Sequence, residues 1–154
     1  LTDEDPYHQG DNQVSIFNID NPQTPVLIGN YGTANIYCIA AAGVRLFLGS
    51  NDGLSILDAS DPRQLVLLST LPLTGSNSGF VSKIVITGNT AFIAISAYVD
   101  GGTPKLWVVD ISDPEQPKVT GELHGLTLPV TITDLSVAGN LAVLAGSTYG
   151  GVYD

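Results

Sequence analysis

One short pattern, an apolar strand end running into a polar turn closed by proline, recurs three times along this chain and constrains the fold more than any other feature. It reads Phe17-Asn18-Ile19-Asp20-Asn21-Pro22, then Leu57-Asp58-Ala59-Ser60-Asp61-Pro62, then Val109-Asp110-Ile111-Ser112-Asp113-Pro114. Four residues after each proline a second match begins, at Val26, Val66 and Lys118. A third set is centred on a glycine turn: Ala42-Gly43-Val44, Thr87-Gly88-Asn89 and Ala138-Gly139-Asn140. The prolines lie 40 and 52 residues apart and the turn glycines 45 and 51. Internal repetition on this scale marks arrays of one supersecondary unit. The turns keep their chemistry while the period changes, so length variation is confined to other loops.

Each unit reads as four short strands. In the central one they are Phe80–Thr87, Thr90–Ala97, Pro104–Ile111 and Pro117–Leu123, rich in Val, Ile, Phe, Trp and Tyr and punctuated by Gly, Asn, Asp and Pro. Mixed alternating and continuous apolar runs suit sheets packed on both faces, and no sustained helical stripe with caps occurs. The expected class is all-β: four-stranded antiparallel blades of a β-propeller.

Two segments carry a family resemblance. Leu106-Trp107-Val108-Val109-Asp110-Ile111-Ser112-Asp113-Pro114-Glu115-Gln116-Pro117 resembles the consensus of LVIVD-repeat β-propellers. Val137-Ala138-Gly139-Asn140-Leu141-Ala142-Val143-Leu144-Ala145 resembles the turn and strand that precede it. The resemblance covers roughly Gln13 to Asp154. The first unit departs from it with Asn18 and Asn21, and the second has Leu65 where the second proline belongs. Such a family implies a fold and a bacterial or archaeal surface or secreted setting (extracellular, cell-surface or periplasmic). It implies no shared catalytic motif.

The repeat divides the 154 residues into 1–31 (end of blade I), 32–71 (blade II), 72–123 (blade III) and 124–154 (start of blade IV). That is an incomplete arc of about three to three and a half blades, below the usual minimum of about four for a closed ring. The absence of Met fits a processed product or a piece of something longer. Five Lys+Arg against 15 Asp+Glu give a net charge of −10, which excludes a nucleic-acid binder and disfavours an anionic membrane surface. No apolar run reaches the roughly 20 residues of a membrane span. Cys38 is the single cysteine, so no internal disulfide forms, and its apolar setting Ile36-Tyr37-Cys38-Ile39-Ala40 makes it a packing residue.

The motif residues read as turn formers. Asn21, Asp61 and Asp113 can accept backbone N–H bonds two residues on while proline fixes φ. Asp58 and Asp110 can cap a neighbouring turn, and their recurrence unit after unit marks them as structural. With strands lettered a to d from the inner edge, the Gly turn (a–b) and the Asp-Pro turn (c–d) share one end of the blade. The connections that vary in length, b–c and d–a, share the other, where binding is usually placed. The candidates there are Tyr98 and Asp100 in one long loop, Thr74, Asn77 and Phe80 in another, and Tyr149 in the last unit. Asp3, Asp5 and Asp11 offer hard oxygen ligands that suit Ca²⁺, although their spacing is not an EF-hand loop and terminal acidic runs are ordinarily just solvated. No other cofactor and no catalytic residue is expected. His8 and His124 are far apart, and no nucleophile elbow or phosphate loop occurs.

Three functions remain open on the sequence. The first is a non-catalytic extracellular or cell-surface propeller segment for protein or ligand binding or assembly. The second is part of a propeller enzyme whose site other blades complete. The third is a structural subunit that assembles through exposed blade edges. The expected partner is a protein or the rest of a longer propeller chain, with homo-oligomerisation by blade completion as a further route.

Overall fold

A computed structural model describes residues 13–32, 35–73, 79–97, 104–123 and 131–147. Twelve strands run along these residues: β1 Gln13–Asn18, β2 Val26–Gly32, β3 Ile36–Ala42, β4 Arg45–Ser50, β5 Gly53–Asp58, β6 Val66–Pro72, β7 Gly79–Thr87, β8 Thr90–Ala97, β9 Lys105–Asp110, β10 Lys118–Leu123, β11 Thr131–Ala138 and β12 Leu141–Ser147. The described residues contain no helix. Two four-stranded sheets, β3-β4-β5-β6 and β7-β8-β9-β10, are flanked by the two-stranded sheets β1-β2 and β11-β12. Every pairing is antiparallel between consecutive strands, and no sheet closes on itself. This is the architecture of partial propeller blades, as the repeat predicts.

Local chemistry explains the hairpins. Gly43, Gly88 and Gly139 each open a two-residue turn with φ of 59°, 58° and 59°, and no described non-glycine turn residue beside them has positive φ. Positive φ at the first turn position only is the II′ pattern, whose twist matches that of the flanking strands. A Cβ at these glycines would meet nothing within 4 Å, so backbone conformation alone demands the residue.

The Asp-Pro turns are held as the sequence predicts. The backbone N–H groups of Gln23, Arg63 and Glu115 donate to Oδ1 of Asn21, Asp61 and Asp113 at 3.1, 3.0 and 3.0 Å. The N–H of Thr24, Gln64 and Gln116 closes each turn on the carbonyl of the same Asx residue. The N–H of Ala59 reaches Val44 O at 2.7 Å and that of Ile111 reaches Asn89 O at 2.9 Å. Both tight turns therefore lie at one end of each four-stranded sheet. At the other end, the N–H of Leu73 donates to Asp52 O in the β4–β5 connection.

Alternate residues of each strand serve two different junctions. Leu46, Leu48 and Leu57, with Ile36 of the same sheet, pack with Val14, Ile16 and Tyr31, joining the first sheet to the second. Phe47, Leu54 and Ile56 pack with Val81, Ile84, Ile93, Trp107 and Val109, joining the second to the third. Ala94, Leu106 and Phe92 pack with Ile132, Leu135 and Leu144, joining the third to the fourth. The first strands of successive sheets, β3, β7 and β11, run close together, as inner strands do around an axis. The fourth strands β6 and β10 are largely exposed.

Candidate functional site

Strands β3, β7 and β11 start at the end opposite the Asp-Pro turns, where the loops of variable length attach. Among the sequence candidates, Phe80 lies on β7 at this end. Its ring packs against Tyr37 of β3, with centroids 4.4 Å apart and planes tilted by 39°. At this separation the two rings are in direct contact. The pair bridges the second and third sheets on their inner strands, and Tyr37 remains 46% exposed. Tyr98, Asp100, Thr74, Asn77 and Tyr149 lie outside the described residues, as do Asp3, Asp5 and Asp11.

Tyr37, the ring partner of Phe80, is not among the candidates that the sequence offers; it falls inside the apolar run around Cys38. It sits at a β-bulge: the β3–β4 register passes from Ile36↔Ser50 to Cys38↔Gly49 and leaves Tyr37 without an opposite residue. The same irregularity occurs at Ser82 in β7–β8 and at Thr133 in β11–β12. A small-polar or aromatic residue at that position in all three units was the available signal.

Cys38 behaves as a packed thiol. Its Sγ–H points to Val81 O at 3.4 Å, across the junction with the third sheet. Burial pushes its pKa up to about 11, with Lys83 and the backbone of Gly49 pulling weakly the other way. The thiolate that a nucleophile or soft-metal ligand needs is then almost absent at neutral pH. In native protein near pH 8, alkylation of Cys38 by iodoacetamide should run at least about tenfold slower than in urea-unfolded chain. Equal rates, read by mass spectrometry, would show an accessible, ordinary thiol.

The recurrent acids are engaged in turns. The hydroxyl and N–H of Ser60 both donate to Asp58 Oδ1, and the N–H of Ser112 donates to Asp110 Oδ1 at 2.9 Å. Hydrogen bonds from the Ser60 hydroxyl and then its N–H hold the Asp58 pKa below its ordinary 3.8. The Ser112 N–H and then its hydroxyl do the same for Asp110. Asn18 fills the position in the first sheet and accepts from the N–H of Asp20 at 2.8 Å. Because both folded pKa values are lowered, their contribution to stability is complete above the ordinary carboxylate range and is lost as pH falls through the folded values. Thermal melts taken from about pH 5 down to about pH 2 should therefore show falling stability, and Asp58→Asn/Asp110→Asn should flatten that slope. An unchanged slope in the double variant would assign acid sensitivity to other carboxylates.

Among the described residues no three His, Cys, Asp or Glu side chains gather as metal ligands would. The single described ion pair, Lys105 Nζ to Glu122 Oε1 at 2.8 Å, spans β9 and β10 on the half-exposed surface.

Four strands joined by a II′ turn, a connection outside the described residues and an Asp-Pro turn make up the β7–β10 unit. Residues 78–124 match the LVIVD repeat. LVIVD repeats are associated with β-propeller-like folds, and the matched segment coincides with the sheet β7–β10. The sheet β3–β6 repeats the same turns, pairings and bulges outside the matched LVIVD segment. No curated protein and no solved structure matches the chain.

Proposed function

We propose that this chain is a non-catalytic β-propeller segment of an extracellular or cell-surface protein, and that it binds a protein partner through the end that carries the variable loops. The observation that carries the reading is the division of labour between the two ends. At one end every recurrent Asp or Asn of the described turns is held by backbone N–H groups. At the other, Tyr37 and Phe80 form an aromatic pair on adjacent inner strands. A partly exposed aromatic pair on a rigid scaffold supplies contact area at low entropic cost. The net charge of −10 favours a partner surface of opposite sign.

Panning a random peptide library on the immobilised chain tests this. Recovered peptides should be rich in Lys or Arg with an aromatic anchor, and Tyr37→Ala should weaken them by about tenfold or more. Peptides that bind Tyr37→Ala as well as the parent would remove the aromatic pair from the binding surface.

A further inference from the structure

We infer that the outer edge of β6 docks an extended segment of a partner protein, a strand of alternating apolar side chains flanked by Lys or Arg, which adds to the β3–β6 sheet by backbone pairing. β6 is the fourth and outermost strand of that sheet, in mid-sequence, with a further unit of the repeat after it. Among the described residues it pairs only with β5. An edge strand offers alternate N–H and C=O groups to any chain that can align with it.

Natural sheets protect such edges with proline, with charge or with breaks in the strand. Of the fourth strands β2, β6 and β10, β6 is the one that lacks this protection. Pro25 precedes β2, and Gly29 and Gly32 interrupt its side-chain surface. Pro117 precedes β10, Lys118 stands on it, and its Glu122 is tied to Lys105 of β9. At the matching place ahead of β6 stands Leu65, which restores the N–H that proline lacks. From Leu65 to Leu71 the run Leu-Val-Leu-Leu-Ser-Thr-Leu holds no charge, no Gly and no Pro, and Pro72 ends it. A short uncharged run rich in Val, Leu and Thr is what strand addition requires. Val66 is 50% exposed and Leu67 49%, so this edge is apolar as well as unpaired. Val26 and Leu27 of β2 are as exposed, but they stand behind a proline.

The charges around the edge select the occupant. Asp58 pairs with Val66 in the sheet, and Asp61 closes the turn ahead of β6. The turn Asp113-Pro114-Glu115 of the next unit lies against the middle of the strand, where the Ser69 hydroxyl donates to Pro114 O at 2.6 Å. Beyond the far end, Asp52 O accepts from the N–H of Leu73. The side chains of Asp52, Asp61, Asp113 and Glu115 are exposed. Arg63 in the turn and Arg45, which pairs with Asp58, are the cations beside them. Acids therefore outnumber cations along this edge, and a basic segment is the complementary one.

The same charges disfavour a second copy on β6, which would bring two sets of acids together at a chain charge of −10 each. The bulge at Leu68 bends the edge, which suits one added strand and opposes open-ended stacking. Backbone pairing then supplies affinity, while apolar and charged side chains select the partner. This surface is separate from the aromatic pair of Tyr37 and Phe80, which lies on the first strands β3 and β7, at the other edge of each sheet.

The probe is the peptide acetyl-Arg-Val-Thr-Val-Thr-Val-Arg-amide, its binding followed by calorimetry and hydrogen exchange. It should bind, and amides of β6 should gain at least about tenfold protection while those of β2 and β10 do not. Val66→Lys gives β6 the residue that β10 carries at Lys118, and Leu65→Pro the residue found at Pro25 and Pro117. The repeat tolerates both, so far-UV circular dichroism and thermal midpoint should hold while affinity falls by about tenfold or more. Of two peptides N-methylated on alternate residues, one should lose binding by at least about tenfold, and so should the peptide with Glu in place of Arg. Tyr37→Ala should bind the parent peptide unchanged. No binding up to about 1 mM, affinity indifferent to both edge variants, protection outside β6, or full binding by the Glu peptide or by both methylated ones would each overturn the proposal. Loss of the peptide in Tyr37→Ala alone would do the same and assign it to the aromatic pair. Self-association that Val66→Lys abolishes would replace the basic partner with a second copy.

Discussion

Phe47→Ala should lower unfolding free energy by about 3–5 kcal/mol, a large part of what a domain of this size commands. The side chain is 1% exposed and is among the largest fully buried groups among the described residues. It projects from β4 toward the third sheet, into the cluster that includes Val81, Ile84, Ile93 and Trp107. Its removal leaves a cavity between two sheets rather than within one. Strand pairing on either side resists collapse, so the upper part of that range applies. Phe92, at the same repeat position on β8, is only partly buried against the last sheet, and Phe92→Ala should cost correspondingly less. Urea unfolding followed by circular dichroism checks both. Stability in a repeat array is the sum of unit and interface terms, so weakening one interface can also split a single transition into two. A Phe47→Ala midpoint within error of the parent would place the load between these sheets elsewhere.

Much of this architecture is legible in sequence because its signals are local. A glycine at the first position of a two-residue turn, or an Asx residue before proline, acts on backbone atoms within three residues and works the same way in every unit. The strands of the central unit and the turn roles of Asn21, Asp61 and Asp113 follow directly from that chemistry. The bulges do not. Tyr37, Ser82 and Thr133 on the first strands, and Ile28, Leu68 and Thr120 on the fourth, are skipped by their partners for reasons of sheet twist and packing. Such a register shift depends on two strands and the sheet beneath them. Tyr37 therefore does not stand out from the apolar run in which it lies. Phe80 is a candidate through its loop, but its neighbour Tyr37 lies 43 residues earlier and is brought there only by the stacking of sheets. The exposure of Ile39 is equally hidden, because its sequence neighbourhood matches that of buried Ile84.

Gly29→Ala isolates the joint between neighbouring blades and should cost about 1–3 kcal/mol, the range for overpacking a tight site. A Cβ built at Gly29 would sit 2.0 Å from Pro62 O, 3.1 Å from Pro62 C and 3.4 Å from Arg63 Cα. All three are backbone atoms, so no rotamer change relieves the clash and the Asp-Pro turn must move away from β2. That turn is braced by the Arg63 N–H bond to Asp61 and the Gln64 N–H bond to Asp61 O, which it would rather keep than break. The first sheet then gives way as a unit, because its own hydrogen bonds between β1 and β2 are untouched. Gly121→Ala is the matched control: the residue type and repeat position are the same, and the added methyl meets only Val108 at ordinary contact distance. In dilute solution its cost should stay within about 0.5 kcal/mol. Hydrogen exchange separates a local from a global effect. In Gly29→Ala the amides of β1 and β2 should lose protection first while those of β7 to β9 keep theirs. Equal losses across all sheets, or a Gly121→Ala variant as damaged as Gly29→Ala, would mean that glycine matters at this position for strand conformation and not for the approach of the neighbouring turn.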